Sequence, residues 1–518
     1  MRDLADHEEL RTLLHDAGGP GGSHSGEPLR PAISAGQPRE YLTSFLVLAA
    51  IGTAVYAVGL NGAYYADDFK LVFQNPSAYI FHFFLHENPN SSFYRPVEST
   101  FVASIQSLFG MNTVPIHCVV LFCHIVVSIL VYLAADKLTR SKSIAALSSG
   151  YMLLSQANAM AVLGNDTLSQ VAGTLFGILS LWFLYRALTS TGPRNDLHYL
   201  VSTLCFALSL WLKETSLGFM VSLIVLSLFV RAREPGYGYG RLLVKLIPFL
   251  AVTLVYMVVH VLVVTRLAAD RYDCLLGPNV LSNTFLASLS ALLPISSVVT
   301  FVWYSQHHFG LLFMAVAGAA VIGGIILIGI YKSKYRKLAP ILFAIAFSDL
   351  LPVIFFRHMG ELYVYNATPA VALLFGIGMS GFYDTFLKGN SVRYFGFALL
   401  TLLFLSFAYA DYSKGKEGVK NGIRAKVLIE EIRPYIDGVP IGGTLVLLNP
   451  PGGDPQYSIF LMSGFNVLNY GTNIINQVSG RYDFRIWIMG EGSPGLNSLP
   501  SNSLVLTIEH DHVLPAAR

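Results

Sequence analysis

Two carboxylates stand side by side at Asp67 and Asp68, within Tyr64-Tyr65-Ala66-Asp67-Asp68-Phe69, directly after the first long apolar run. Further on, Phe93-Tyr94-Arg95-Pro96-Val97 places a cation where an Arg-Pro opens a helix, and Glu98 follows. Three later turns carry the same kind of residue: Asn165-Asp166-Thr167, Lys213-Glu214-Thr215 and Arg357-His358-Met359-Gly360-Glu361. Each turn lies between apolar runs. Ionisable groups at the rim of a bilayer are costly unless wet or paired, so they mark functional candidates. Acids and bases gathered there, within reach of both water and lipid, suit acid–base chemistry on a substrate that is partly lipid.

Taken singly, each has a bland reading. Asp67-Asp68 and Asn165-Asp166 could cap helices. Lys213-Glu214 could be a snorkelling surface pair, and Arg357-His358 could anchor headgroups. His82, His86, His117, His124 and His260 are isolated and read as packing or hydrogen-bonding residues. No Cys/His cluster has zinc spacing, and no glycine-rich nucleotide loop follows a strand. What favours function is the conjunction: acids and bases from separate turns at one common level.

The elements that must position them are membrane helices. The 518 residues are 53% hydrophobic and 13% charged, against about 25% charged in a soluble protein. Apolar runs of spanning length fall at about 41–60, 113–136, 143–163, 167–188, 197–212, 215–231, 242–264, 308–331, 338–356, 362–383 and 392–411, eleven in all. Val97–Met111 would reach only about 22 Å as a helix, against about 30 Å of hydrocarbon, so it is expected to lie in the interface. With that choice every second loop is basic. The positive-inside rule then makes the N-terminal tail cytoplasmic and turns the acidic first loop, 61–112, outward. The aromatic run Tyr79–Leu85 in that loop suits the membrane–water boundary.

Three regions follow: a disordered cytoplasmic tail at 1–40, rich in Gly, Pro and Ser; a transmembrane domain at 41–412; and an extracytoplasmic α/β domain at 413–518. In the last, Lys414–Ile436 reads as a charged amphipathic helix, and Thr444–Asn449, Phe484–Met489 and Ser503–Ile508 as strands. Its acids, such as Asp454 and Glu491, are dispersed among Gly and Pro, so it is expected to select an acceptor and not to carry catalysis. Four cysteines give no disulfide framework. Asn90-Ser91-Ser92 and Asn366-Ala367-Thr368 are glycosylation sequons of a kind that arises by chance.

Tyr65-Ala66-Asp67-Asp68-Phe69 followed by Phe93-Tyr94-Arg95-Pro96-Val97 resembles the first outer loop of the GT-C glycosyltransferases, in the protein O-mannosyltransferase-like branch (glycosyltransferase family 39). Asn165-Asp166-Thr167-Leu168, Lys213-Glu214-Thr215, and Arg357-His358 with Tyr363-Val364-Tyr365-Asn366-Ala367-Thr368-Pro369 resemble later segments of the same relatives. The resemblance covers about residues 41–385. It implies a polytopic helical enzyme of GT-C type, hexosyl- or mannosyltransferase-like, that moves a sugar from a polyprenyl-phosphate donor, with inversion, to an acceptor outside the cytoplasm. That reaction needs a carboxylate base, which Asp67 or Asp68 could supply, with Asp67 in the family's position. It also needs cations on the departing phosphate, for which Arg95, Lys213, Arg357 and His358 are the candidates. Asp166 and Glu214 could orient the acceptor or the cations. The expected partners are the lipid-linked sugar donor, a protein or glycan acceptor and the bilayer, with no nucleic acid. No cofactor is specified, and a divalent cation stays open. The expected location is a plasma membrane, or the endoplasmic reticulum in a eukaryote.

Two other classes compete. A transporter or flippase of a lipid-linked or anionic solute would place charges near mid-bilayer, where Asp349 is the main exception to otherwise uncharged spans. A membrane scaffold would need no acids and bases gathered at one rim.

Overall fold

The computed structural model describes residues 37–86, 88, 93–190, 194–233, 238–264, 275–357, 359–449, 462, 464–469, 471–490, 499–509 and 512–516. His358, Asp454, Glu491, the sequon at 90–92 and the tail before residue 37 lie outside these. The chain divides into two compact units, Met1–Phe45 and Leu46–Arg518.

The helices are α1 (Gln37–Tyr56), α2 (Pro76–Tyr79), α3 (Pro96–Phe109), α4 (Val114–Thr139), α5 (Lys142–Leu154), α6 (Ala159–Leu163), α7 (Leu168–Thr189), α8 (Asn195–Leu212), α9 (Leu217–Arg233), α10 (Tyr239–Val263), α11 (Pro278–Leu292), α12 (Ser297–Ser305), α13 (Phe309–Lys332), α14 (Ala339–Ile354), α15 (Thr368–Phe386), α16 (Asn390–Ile436) and α17 (Thr472–Ser479). Proline sits in the first turn of α3, α4, α11, α14 and α15, where a missing N–H costs nothing and the fixed φ suits the helix. Gly110, at φ 62, ends α3 after 14 residues, too short to cross the hydrocarbon.

Among the described residues eight helices are long and apolar enough to cross a membrane, against the eleven read from the sequence. The other three runs also fold as helix but are shorter, less apolar or interrupted. The run 143–163 is the clearest case. Helix α5 stops at Leu154, Ser155 is extended, and a 3₁₀ turn at Gln156–Asn158 leads into α6. The carbonyls released by this break find donors: Asn158 Nδ2 donates to the Met152 carbonyl at 2.7 Å, and Tyr56 Oη to the Leu153 carbonyl at 3.0 Å. His124 Nε2 lies 3.0 Å from that same Leu153 oxygen. Irregular backbone at membrane depth survives only with such partners. Helices α13 and α15 approach until a Cβ at Gly329 would lie 1.8 Å from the Gly378 carbonyl oxygen, the close small-residue contact that membrane helices favour.

Where the sequence suggested a span and then a separate amphipathic helix, α16 runs unbroken for 47 residues, about 70 Å at 1.5 Å per residue. Hydrocarbon accounts for less than half of that, so the remainder stands clear of the membrane. Its buried stripe there includes Gly415, Gly418, Asn421, Gly422, Ala425 and Leu428. Beyond it, β1 (Thr444–Asn449), β2 (Arg485–Gly490), β3 (Ser503–Glu509) and β4 (His512–Pro515) form one sheet in the order β2-β1-β3-β4. Central β1 runs parallel to both neighbours, with Leu447 opposite Ile488 and Leu506. Strand β4 returns antiparallel on β3. Strands β1 to β3 fall within a residue of the sequence reading. Edge strand β4 and helix α17 were not foreseen, being four and eight residues long.

Candidate functional site

The first loop, the turn before α7, the turn before α9 and the turn before α15 meet at one end of the helix bundle. They wall an open cavity whose lining includes Asp67, Lys70, Arg95, Glu98, Asp166, Lys213 and Tyr363.

Three acids hold this end together. Asp68, 3% exposed, is a hub. Its Oδ1 accepts the backbone N–H groups of Asn165 and Asp166, both at 3.2 Å. Its Oδ2 accepts Tyr65 N–H at 3.2 Å and Asn165 Nδ2 at 2.7 Å. A carboxylate offers about four lone-pair sites, so Asp68 has none left for a substrate. Burial, and then the Asp166 carboxylate, push the Asp68 carboxyl above the usual range, against the pull of these donors. Glu98, 2% exposed, accepts Ser169 N–H at 3.1 Å, which is one of the orphan donors at the start of α7. Glu214 takes Arg95 in a two-pronged ion pair, Nε to Oε2 at 2.7 Å and Nη2 to Oε1 at 2.6 Å. Arg95 also stacks on Phe93, 4.2 Å from the ring centre, and its Nη1 lies 3.7 Å from Glu98. The fork uses two of five donors, so Arg95 keeps N–H groups for the cavity.

The groups facing the cavity are different. Asp67 is 36% exposed, and its Oδ2 pairs with Lys70 Nζ at 3.2 Å. It follows Ala66, whose φ of 50 lies in the left-handed region although the residue is fully buried, a strain that must be held by its surroundings. Asp166 is half-buried, and its carboxyl is pushed upward by burial and then by Asp67. Lys213, 2% exposed, has no hydrogen-bond or ion-pair partner among the described residues, and its Nζ sits 5.6 Å from the centre of the Tyr363 ring. Burial and then Arg95 lower the Lys213 ammonium to about 8, while Glu214, Glu98 and Asp166 oppose the fall.

Of the residues expected from sequence, Asp67, Arg95, Asp166 and Lys213 line the cavity, and Asp68 and Glu214 stand behind it as holders. Arg357 is exposed and does not line it. Lys70 is not among the candidates that the sequence singles out. The 3₁₀ turn Ala66–Leu71 brings Lys70 round beside Asp67, three positions away. Tyr363, Ser99 and Asn88 were also missed as lining. The sequon residue Asn366 is 2% exposed and bonded to Gln170, Thr174 and Thr215, which bars it as a glycosylation acceptor. Among the described residues no three His, Cys, Asp or Glu side chains gather as a metal site.

Residues 92–264 match the family described as dolichyl-phosphate-mannose-protein mannosyltransferase, about a third of the chain. No curated protein sequence matches. Among solved structures, ArnT from Cupriavidus metallidurans bound to undecaprenyl phosphate matches with a TM-score of 0.50 at 11% identity, over 90% of this chain and 93% of that one. The oligosaccharyltransferase of Archaeoglobus fulgidus, in complex with Zn and sulfate, matches with a TM-score of 0.48 at 10% identity, over 89% and 67%. The chain is a multi-pass membrane protein with the GT-C type of helical fold and a small α/β domain at its C-terminal end.

Proposed function

We propose that this chain is an integral membrane glycosyltransferase that moves a sugar from a polyprenyl-phosphate donor to an acceptor hydroxyl, with inversion. The observation that carries the reading is the division of labour at the cavity. Two half-buried carboxylates, Asp67 and Asp166, open onto it, and the cations Lys70, Arg95 and Lys213 share its wall. The family match and the fold of ArnT support the reading.

Asp67 is the general base. It takes the proton of the acceptor hydroxyl as that oxygen attacks the sugar carbon from the face opposite the phosphate, and the sugar–phosphate bond breaks with its electrons going to the phosphate. Lys213, held at the cavity wall with no ion-pair partner among the described residues, meets the growing negative charge. The free N–H groups of Arg95 add directional contacts, and Lys70 takes the place the sequence reading gave to Arg357. Because the phosphate gains charge as the sugar leaves, these contacts strengthen in the transition state and act on turnover as well as on binding. Asp166 orients the acceptor or the cations. The positive-inside pattern of the loops supports a non-cytoplasmic cavity, with the sheet domain on the same side presenting a protein or glycan acceptor.

The test is transfer by purified protein from a polyprenyl-phosphate hexose to an acceptor, with product stereochemistry read by NMR. Inverted product that disappears in Asp67→Asn supports the reading. Retained configuration, or full turnover in that variant, overturns it. The transporter alternative gains nothing from Asp349, which is buried and accepts a hydrogen bond from Ser222 Oγ at 2.8 Å.

A further inference from the structure

The last quarter of the chain, from Asn390 on, touches two walls of the cavity. Three contacts define this. Where α16 leaves the bundle, Lys414 Nζ donates to Glu361 Oε2 at 2.7 Å, to Gln156 Oε1 at 2.6 Å and to the Gln156 carbonyl at 3.2 Å. The other oxygen of Glu361 accepts the Ser297 N–H. Glu361 is 4% exposed and opens the 3₁₀ turn Glu361–Asn366, which carries Leu362 and Tyr363 into the cavity wall. Two turns further along α16, a Cβ at Gly422 would lie 2.7 Å from the Ala63 backbone nitrogen and oxygen. Beyond β1, Gly471 lies against Phe69, the residue after Asp68. A methyl there would stand 3.1 and 3.2 Å from Cδ2 and Cε2 of the ring and 2.7 Å from the Leu468 carbonyl oxygen. Phe69 is 2% exposed.

We propose that Lys414 and Gly471 are positioning residues, through which α16 and the sheet domain hold the Tyr363 wall and the Asp67 turn in register. The domain is then part of the working site and not only a platform for the acceptor. Two features make such support necessary. Ala66 is held in a left-handed conformation that does not persist unaided. The Tyr363 turn lies between α14 and α15 with an exposed neighbour at Arg357, and the Lys414–Glu361 bond, with the Ser297 N–H on the other oxygen, fastens its front end. The proposal rests on the cavity being the working site.

The experiment uses the full chain in lipid nanodiscs and compares wild type with Lys414→Met, Lys414→Arg, Gly471→Ala and the double variant Gly471→Ala/Phe69→Leu. Backbone hydrogen exchange and hydrolysis of a polyprenyl-phosphate hexose are measured on each. Lys414→Met is expected to speed exchange in residues 361–367, and Gly471→Ala in residues 65–72, with α4 unchanged. Both should lower kcat by about 10- to 100-fold, the cost of a misplacement near 1 Å, with donor KM little changed. Lys414→Arg should recover most of its loss, and the double variant only the part due to the Phe69 ring, because the Leu468 carbonyl contact remains. Local exchange unaltered at both turns overturns the proposal. So does loosening spread evenly through α4, because that marks a role in general stability alone. A wild type with no hydrolysis, alongside the expected local exchange pattern, would leave the positioning intact and remove the glycosyltransferase reading instead.

Discussion

The turn at Ala66–Leu71 and the turn from Phe356 to Asn366 look alike in sequence. Both follow an apolar run, both mix acid with base, and both sit at the same end of the bundle. The structure treats them differently. In the first, Asp68 is buried and anchors two turns, which frees Asp67 and Lys70 to face the cavity. In the second, the buried acid Glu361 is bound to Lys414, and what reaches the cavity is Leu362 and the Tyr363 ring while Arg357 points outward. Charge at the membrane rim therefore does not by itself make a site residue. A buried partner that fixes the backbone, with a neighbour left over, does.

That contrast can be broken most directly at the paired acids. Asp67→Asn should lower transfer by about 10²–10⁴-fold, the range for a lost acid–base group, with expression unaltered. Near-normal steady-state transfer would remove Asp67 from the chemistry. Lys213→Ala should cost about 3–4 kcal/mol of transition-state stabilisation, or 10²–10³-fold in kcat, as for other preorganised electrostatic groups. A change confined to donor KM would show that it serves binding only.

Asp68→Asn should act by another route. It sets an amide NH₂ against two of the four N–H donors and should lower unfolding stability by about 2 kcal/mol or more. Thermal unfolding with the midpoint unshifted would contradict the hub role. Lys213 also carries a pH signature. It is charged below about 8 and loses its proton above, so kcat/KM for the donor should fall as pH rises through about 8. Lys213→Arg should move that alkaline limb upward, and an unmoved limb would assign it to another group. The same depression means that the native state releases this proton before the unfolded chain does. Its charge is therefore paid for in stability at neutral pH, and the penalty fades as pH rises from about 8 toward the ordinary lysine value. The smallest effect belongs to the second turn: Arg357→Lys should leave turnover within about 2-fold, as for surface changes of under 0.5 kcal/mol. A large loss would restore Arg357 to the site.

Much of the architecture was legible because long apolar runs have few alternatives. Each of the eleven runs contains helix, and Arg95-Pro96 opens α3 where expected. The break at Ser155 was not legible, since no Pro or Gly marks it. It depends on His124 and Tyr56, which reach it from distant parts of the chain. Helices α11 and α12 were missed because, at 15 and 9 residues, they are too short to read as spans. The continuity of α16 was hidden by a change of composition near Asp411, which altered the solvent around the helix but not its backbone preference. At the site, residue type and common level pointed to Asp67, Asp166, Arg95 and Lys213. Adjacency could not say which of Asp67 and Asp68 would be consumed by backbone donors, because that is decided by the Asn165 turn folding over one of them.

The unbroken α16 also fixes an angle. A helix turns by about 100° and rises about 1.5 Å with every residue, so a single residue inserted between the membrane part and Lys414 would swing the whole sheet domain by more than a quarter-circle while lifting it hardly at all. Seven residues would restore the facing to within about 20° yet raise the domain by about 10 Å. Evolution can therefore lengthen this stalk only in near-whole turns, and then only with matching changes in the loops it grips.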